Sequence, residues 1–177
     1  TFATIPNILA RGGAWHASLG TEGSCGTIAL QLGGRVKQTG LIEIPFGLTL
    51  REVLDQFGQG MADGARLKAV QVGGPLGSLF TDAQLDIPIC FDAFAQADAI
   101  LGHGGIVVFD DQTDMLELSR HLMAFVADES CGKCVPCRIG SLRAREILDA
   151  IQRGQATEAD LSLLTELGDT MKATSLC

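Results

Sequence analysis

The residues with the most evident chemistry are four cysteines near the end of the chain. Three of them, Cys131, Cys134 and Cys137, follow one another at intervals of three residues in the stretch ESCGKCVPCRIG, and the fourth, Cys177, is the last residue. Thiolates at such short intervals can hold one metal centre, because a single loop can wrap around it. The spacing therefore predicts a metal site whose fourth ligand comes from a distant part of the chain.

A 4Fe-4S cluster is the interpretation that fits this spacing best. Three close cysteines and one distant cysteine suit such a cluster, and Gly132 allows the backbone to turn tightly beside it. Lys133 and Arg138 add positive charge next to an anionic core. A structural zinc site is the first alternative, although zinc sites more often use two separate ligand pairs. A redox-active dithiol is the second, but it would leave two of the four cysteines without a role.

Composition narrows the class of protein. The 177 residues allow one domain or two small ones, and the net charge of −8 without a basic cluster makes nucleic acid a poor partner. The sequence contains no run of eighteen or more apolar residues, so no membrane span is expected, and no export signal is visible. Cysteines concentrated near one end favour metal binding in a reducing cytoplasm over a disulfide framework. The first residue, Thr1, and a ligand in last place suggest a piece of a longer polypeptide.

The elements that must position the cysteines are helices. From Asp114 onward the sequence predicts three of them, each with an apolar stripe for packing into a bundle. The stripes consist of Met115, Leu118, Leu122 and Phe125 in the first helix, Ile139, Leu142, Leu148 and Ile151 in the second, and Leu161, Leu164, Leu167 and Met171 in the third. The last two helices have nearly equal predicted lengths, so the chain should return Cys177 to the level of the cysteine loop.

The preceding part of the chain predicts a different structure. The first twenty residues indicate a short helix that ends at Gly12 and Gly13. Alternating apolar residues after Gly26 then predict strands, interrupted by one helix with Thr49 as its N-cap. Two strands, a helix and further strands are the element order of a β-grasp domain. Two further cysteines in this part, Cys25 and Cys90, are expected to be small buried side chains.

With its cysteine motif, the chain resembles the flavoprotein subunit of NADH dehydrogenases. This family includes the NADH-oxidising subunit of respiratory complex I, the diaphorase subunit of NAD-reducing hydrogenases and the beta subunit of soluble NAD-dependent formate dehydrogenases. The resemblance covers essentially the whole chain. It implies an α+β protein with a connector from a flavin domain (residues 1–23), a soluble-ligand-binding β-grasp domain (24–111) and a helical domain carrying a 4Fe-4S cluster (112–177).

The resemblance also implies a function. The family's cluster ligands correspond to Cys131, Cys134, Cys137 and Cys177. In the family, the cluster relays single electrons from FMN and NAD(H) to further iron–sulfur subunits of a complex, or in the reverse direction. The stretch CVPCRIGS resembles the formate dehydrogenase group, because the complex I version usually has an acidic residue in place of Ile139.

One departure from the family limits these expectations. The chain contains no Gly-x-Gly-x-x-Gly stretch, so the FMN and NAD sites of an intact subunit are expected mainly outside it. No catalytic residue is therefore predicted within this portion. Two other functions remain open: a zinc-stabilised, non-catalytic interaction module, and a cluster that is only structural.

Overall fold

The computed structural model describes residues 2–176, so Thr1 and the predicted ligand Cys177 lie outside the described residues. The chain divides into two compact units, with the boundary between Gln112 and Thr113. Each unit has its own architecture, and the roles predicted for residues 1–23, 24–111 and 112–177 remain predictions.

The first unit combines short helices with one five-stranded sheet. Its α-helices are α1 (Ile5–Arg11), α2 (Gly13–Ala17), α3 (Leu50–Gln56) and α4 (Phe91–Gln96). Its strands are β1 (Thr27–Gly34), β2 (Gly40–Pro45), β3 (Leu67–Val72), β4 (Ser78–Phe80) and β5 (Gly105–Asp110). Short 3-10 turns lie at Phe2–Thr4, Ala62–Gly64 and Asp82–Gln84.

The sheet has the strand order β2-β1-β5-β3-β4. Strands β1 and β5 are parallel, with Leu32 opposite Ile106, and the other neighbouring pairs are antiparallel. The last strand therefore lies between the first hairpin and the β3–β4 pair. This mixed sheet, followed by C-terminal helices, confirms the predicted α+β class.

The core of the first unit lies between the sheet and α3. Alternate residues of the strands face inward, and they join the apolar side of α3 in one cluster that includes Leu30, Ile44, Val53 and Val70. Helix α3 begins as predicted: the Thr49 side chain accepts a hydrogen bond from the Glu52 amide, and the Glu52 carboxylate accepts one from the Thr49 amide.

Several expectations for the first unit need correction. Gly12 ends α1 with a φ of +89°, as predicted, but Gly13 begins a second short helix instead of extending the break. Helix α4 was not predicted from the sequence. Cys90 is buried as expected, whereas Cys25 is exposed. Cys25 lies in a narrow hairpin paired with Gly20, too small to enclose it, and its thiol donates to the carbonyl of Thr21 at 3.5 Å.

The second unit consists of three consecutive helices, α5 (Met115–Glu129), α6 (Val135–Gln152) and α7 (Glu158–Thr174). Thr157 caps the third helix, as its position before the apolar stripe predicts, and Asp114 caps the first. Helix α6 packs against both α5 and α7, so it is the central element of the unit.

The predicted packing stripe of α6 is wrong in its first half. Ile139 and Leu142 are 53% and 49% exposed, whereas Gly140, Ser141 and Ala144 are buried. The small residues form the contact face because they allow the neighbouring helices to approach closely. A Cβ on Gly140 would lie only 2.7 Å from Sδ of Met171 in α7. Hydrophobicity alone selected the wrong side of this helix. Phe125 and Leu161, from the other two predicted stripes, are also partly exposed, at 40% and 45%.

Candidate metal centre

Three of the four predicted ligands lie around the turn that joins α5 to α6. Cys131 is exposed, and Cys134 and Cys137 are partly buried. Cys134 occupies the N-cap of α6, with Pro136 in the first turn of the helix, and Cys137 lies in that same turn. The cysteine motif therefore surrounds a helix N-terminus, where backbone N–H groups without helical partners favour negative charge.

Gly132 determines the shape of this turn. Its φ of +73° lies in the left-handed region that other residues rarely adopt. Its amide donates to the Ser130 hydroxyl at 3.3 Å, and its carbonyl accepts a hydrogen bond of 2.5 Å from the Arg138 guanidinium. Arg138 thus holds the loop between Cys131 and Cys134 in place, in addition to contributing positive charge.

The end of the chain returns to this turn. Helices α6 and α7 have 18 and 17 residues, which at about 1.5 Å per residue gives nearly equal lengths of about 27 Å and 26 Å. Between them, Gly154 has a φ of +65° and its amide donates to the carbonyl of Ile151, while the Gln155 amide donates to Ala150. These two bonds form a Schellman motif, which ends α6 where the sequence predicts.

Residues next to the predicted fourth ligand surround the sulfur of Cys134. The backbone N–H groups of Leu176 and, to a smaller extent, Cys137 hold the pKa of the Cys134 thiol below its ordinary value. Burial acts in the opposite direction but is weaker than the first two contributions. Because Leu176 directly precedes Cys177, the predicted return of the chain to the cysteine loop is confirmed up to that residue. Cys177 itself lies outside the described residues, so its role as a ligand remains a prediction.

The hydroxyl of Ser175 is buried and has no well-formed hydrogen-bond partner among residues 2–176. It lies near the sulfur of Cys134 and helps to lower the pKa of that thiol, but the contact lacks the geometry of a hydrogen bond. A buried hydroxyl normally has a partner. An acceptor bound by the cysteines, such as the sulfur of a cluster, would supply one.

Ser130 provides a second hydroxyl at the site. Its Oγ lies 3.4 Å from Sγ of Cys137. Neither serine was singled out from the sequence, because nothing in the motif spacing indicates that Ser130 contacts a cysteine seven positions later. For Ser175, the only sequence signal of a role at the site was its position two residues before the last cysteine.

Within residues 2–176, no three His, Cys, Asp or Glu side chains form a group that could hold a metal ion. Three features of the cysteine loop fit an iron–sulfur cluster: the lowered pKa of Cys134, the buried hydroxyl of Ser175 and the tight turn at Gly132.

No histidine belongs to a group of side chains that could hold a metal ion within residues 2–176. His103 lies in a glycine-rich loop of the first unit, where its Nδ1 accepts a hydrogen bond of 2.8 Å from the Gly105 amide.

Among the helices of residues 2–176, none combines the length and apolar character needed to cross a bilayer.

Comparison with protein families supports the same type of site. Residues 117–177 match the family described as "NADH-ubiquinone oxidoreductase-F iron-sulfur binding region". The matched segment includes all four cysteines of the motif, and the cofactor of this region is a 4Fe-4S cluster.

Individual relatives match almost the entire chain. The chain is 45% identical over 177 residues to the NADP-reducing hydrogenase subunit HndC of Solidesulfovibrio fructosivorans, covering 36% of that protein. It is 39% identical over 167 residues to a subunit of the NADH-quinone oxidoreductase of Escherichia coli, covering 94% of this chain and 38% of the relative. The chain thus spans little more than a third of the length of these curated relatives.

A solved structure has the same fold. A chain of the NAD⁺-reducing [NiFe]-hydrogenase, in the air-oxidised state, superimposes with a TM-score of 0.86 at 34% sequence identity. The match covers 98% of the present chain and 29% of the hydrogenase chain. The two relatives are named as subunits of an NADP-reducing hydrogenase and an NADH-quinone oxidoreductase, and the solved structure is that of an NAD⁺-reducing hydrogenase.

Proposed function

Because this chain belongs to the family of NADH dehydrogenase flavoprotein subunits and corresponds to their C-terminal portion, we propose that it is the electron-transferring part of an NAD-linked dehydrogenase. Cys131, Cys134, Cys137 and Cys177 are the proposed cluster ligands. The return of Leu176, the residue before the proposed fourth ligand, to the sulfur of Cys134 carries this proposal.

The residues of the second unit bind and tune the cofactor instead of performing acid–base chemistry. The 4Fe-4S cluster supplies one-electron transfer: it connects FMN and NAD(H) with the remaining redox centres of a complex. Neighbouring amides hold the pKa of the Cys134 thiol below its ordinary value, and Gly132 and Arg138 fix the loop that carries Cys131. The protein contributes ligand geometry, hydrogen bonds and charge.

We assign the sheet of residues 24–111 to the β-grasp class and the three helices to a cluster-binding bundle. The strand order, with β5 between β1 and β3, and α3 packed on the sheet support the first assignment. The segment 1–23 is the proposed connector to a flavin domain. FMN and NAD(H) bind mainly outside this chain, and the partners are cytoplasmic subunits with further iron–sulfur clusters.

The proposed complex is an NAD-dependent formate dehydrogenase. The residues CVPCRIGS support this assignment, with Ile139 in the position where complex I subunits usually have an acidic residue. A hydrogenase is the second candidate, favoured by the 45% identity to the NADP-reducing hydrogenase subunit and by the hydrogenase structure. NAD⁺ reduction by the purified complex with formate or with hydrogen distinguishes the two.

A zinc-stabilised interaction module is the competing function from another class. The two functions differ in metal content: the cluster requires four irons and four sulfides per chain, whereas the module requires zinc without sulfide. Anaerobic purification followed by iron, sulfide and zinc analysis tests the proposal. Zinc as the stoichiometric metal, with no EPR signal after reduction, would contradict it.

A further inference from the structure

The hydroxyl of Ser130 lies between the backbone of the cysteine loop and one of its thiols. Ser130 accepts a hydrogen bond of 3.3 Å from the Gly132 amide and lies 3.4 Å from Sγ of Cys137. It is partly buried, at the point where α5 ends and the cysteine loop begins. This contact bridges the two ends of the motif, from the residue before Cys131 to the third cysteine.

The direction of the second hydrogen bond follows from the number of protons. A serine hydroxyl has one proton to donate and two lone pairs to accept with. A backbone amide can only donate, so the contact with Gly132 occupies a lone pair of Ser130. When Cys137 is a thiolate it has no proton, and Ser130 must then be the donor. The hydroxyl proton of Ser130 is therefore directed at the sulfur of Cys137.

The geometry of this contact is imposed by the loop. Gly132 is held at its amide by Ser130 and at its carbonyl by Arg138. Cys137 is held within α6, where its carbonyl accepts a hydrogen bond of 2.6 Å from the Ser141 hydroxyl. Neither partner of Ser130 can move far without breaking a bond that the loop or the helix requires.

We propose that Ser130 is a positioning residue that raises the reduction potential of the cluster through its hydrogen bond to Cys137. The proposal rests on the proposed function, in which Cys137 is a ligand. Each electron that enters from a reduced flavin adds one negative charge, shared among the iron core and its four thiolates, and leaves again to the next iron–sulfur centre. Ser130 stabilises the more negative state more strongly, because a hydrogen bond strengthens with the charge on its acceptor.

The test is a redox titration followed by EPR on the anaerobically purified protein. Ser130→Ala removes the donor, and the midpoint potential is expected to shift to more negative values while iron and sulfide contents stay at parental levels. Ser130→Thr keeps a hydroxyl and should restore a potential close to that of the parent. Ser119→Ala is the matched control: it removes a partly buried hydroxyl that donates to the carbonyl of Met115 within α5 and not to a thiol, so the potential should not change.

Each other outcome has a definite meaning. A Ser130→Ala protein with a complete cluster and the parental potential would overturn this inference and leave the proposed function intact. Absence of a cluster in the parent protein would overturn the proposed function itself. If Ser130→Ala loses iron, Ser130→Thr decides between the two explanations. A complete cluster at the parental potential in Ser130→Thr supports the role of the hydroxyl. A lowered potential in Ser130→Thr, or loss of iron from both variants, would contradict a role of Ser130 in setting the potential.

Discussion

The contact between Gly140 and Met171 should control how closely the end of the chain approaches the cysteine loop. An alanine Cβ at position 140 would lie 2.7 Å from Sδ and 2.8 Å from Cγ of Met171. Ordinary contacts require roughly 3.5–4.0 Å, so Met171 or the whole of α7 has to move by roughly 1 Å. Gly140 follows Cys137 by one turn and Met171 precedes Ser175 by one turn, so the movement would draw the chain end away from Cys134.

Two opposing effects determine the free energy of unfolding of Gly140→Ala. Overpacking a close contact costs about 1–3 kcal/mol, although the flexible Met171 side chain favours the lower end. Replacing glycine by alanine inside a helix stabilises by about 1 kcal/mol. We therefore expect a net effect between no change and a loss of about 2 kcal/mol.

Gly168 provides the matched control. It lies in α7, and a Cβ there would have no atom within 4 Å. Gly168→Ala should therefore gain the full helix-propensity contribution of about 1 kcal/mol. The difference between the two variants isolates the packing cost, and Met171→Ala combined with Gly140→Ala should remove most of it.

Urea unfolding of the anaerobically purified variants measures this difference. Circular dichroism at 222 nm follows the helices, and the visible absorption of the cluster follows the second unit. Gly140→Ala should also lose iron faster than Gly168→Ala. Equal stabilisation by both alanines, with equal retention of iron, would refute the conclusion that Gly140 sets the spacing of α6 and α7 at the site.

Three further predictions concern the ligands, one ion pair and the core. Cys134→Ser should lose most of the iron, whereas Cys25→Ser should retain it, as measured by iron analysis; equal iron in both would exclude Cys134 as a ligand. Arg120 holds the pKa of Asp149 below its ordinary value. Their ion pair therefore contributes its full stabilisation above the ordinary pKa of about 3.9, and this stabilisation is lost as the pH falls through the lower pKa of the folded state. In thermal melts of iron-depleted protein, Asp149→Asn should therefore melt below the parent at pH 7, and this deficit should shrink in acid; a deficit independent of pH would contradict the ion pair. Phe94→Ala, at a fully buried position, should cost about 3–5 kcal/mol in urea unfolding, and an unchanged unfolding midpoint would place Phe94 outside the core.

The sequence was sufficient to predict the helices of the second unit and the return of the chain. A cap such as Thr157 is a local signal, and it marks a helix start independently of the rest of the fold. The left-handed Gly154 marks the end of α6 in the same way. Near-equal helix lengths then determine where the chain comes back, which is why the return of the chain end to the cysteine loop could be predicted by counting residues.

The contact faces of the helices could not be obtained from the same signals. The side of α6 that packs is the one with Gly140, Ser141 and Ala144, because close approach of the helices outweighs the hydrophobicity of Ile139 and Leu142. A stripe of small residues gives little hydrophobic signal, so periodicity alone favours the wrong side.

The hydrogen bonds at the site were also beyond the reach of the sequence. Whether Ser130 contacts Cys137, and whether Arg138 binds the carbonyl of Gly132, depends on the path of a loop with a left-handed residue. Such contacts follow from three-dimensional geometry and not from spacing, although all these residues belong to the motif that identified the site.

The most direct test of the central conclusion is a metal, sulfide and EPR analysis of Cys131→Ser, Cys134→Ser, Cys137→Ser and Cys177→Ser beside the parent protein. The parent should contain four irons and four sulfides per chain and show a reduced-cluster signal, and each variant should lose or alter both. Cys90→Ser, outside the motif, should match the parent. A Cys177→Ser protein with the parental cluster and an unchanged EPR signal would contradict the proposed four-cysteine site.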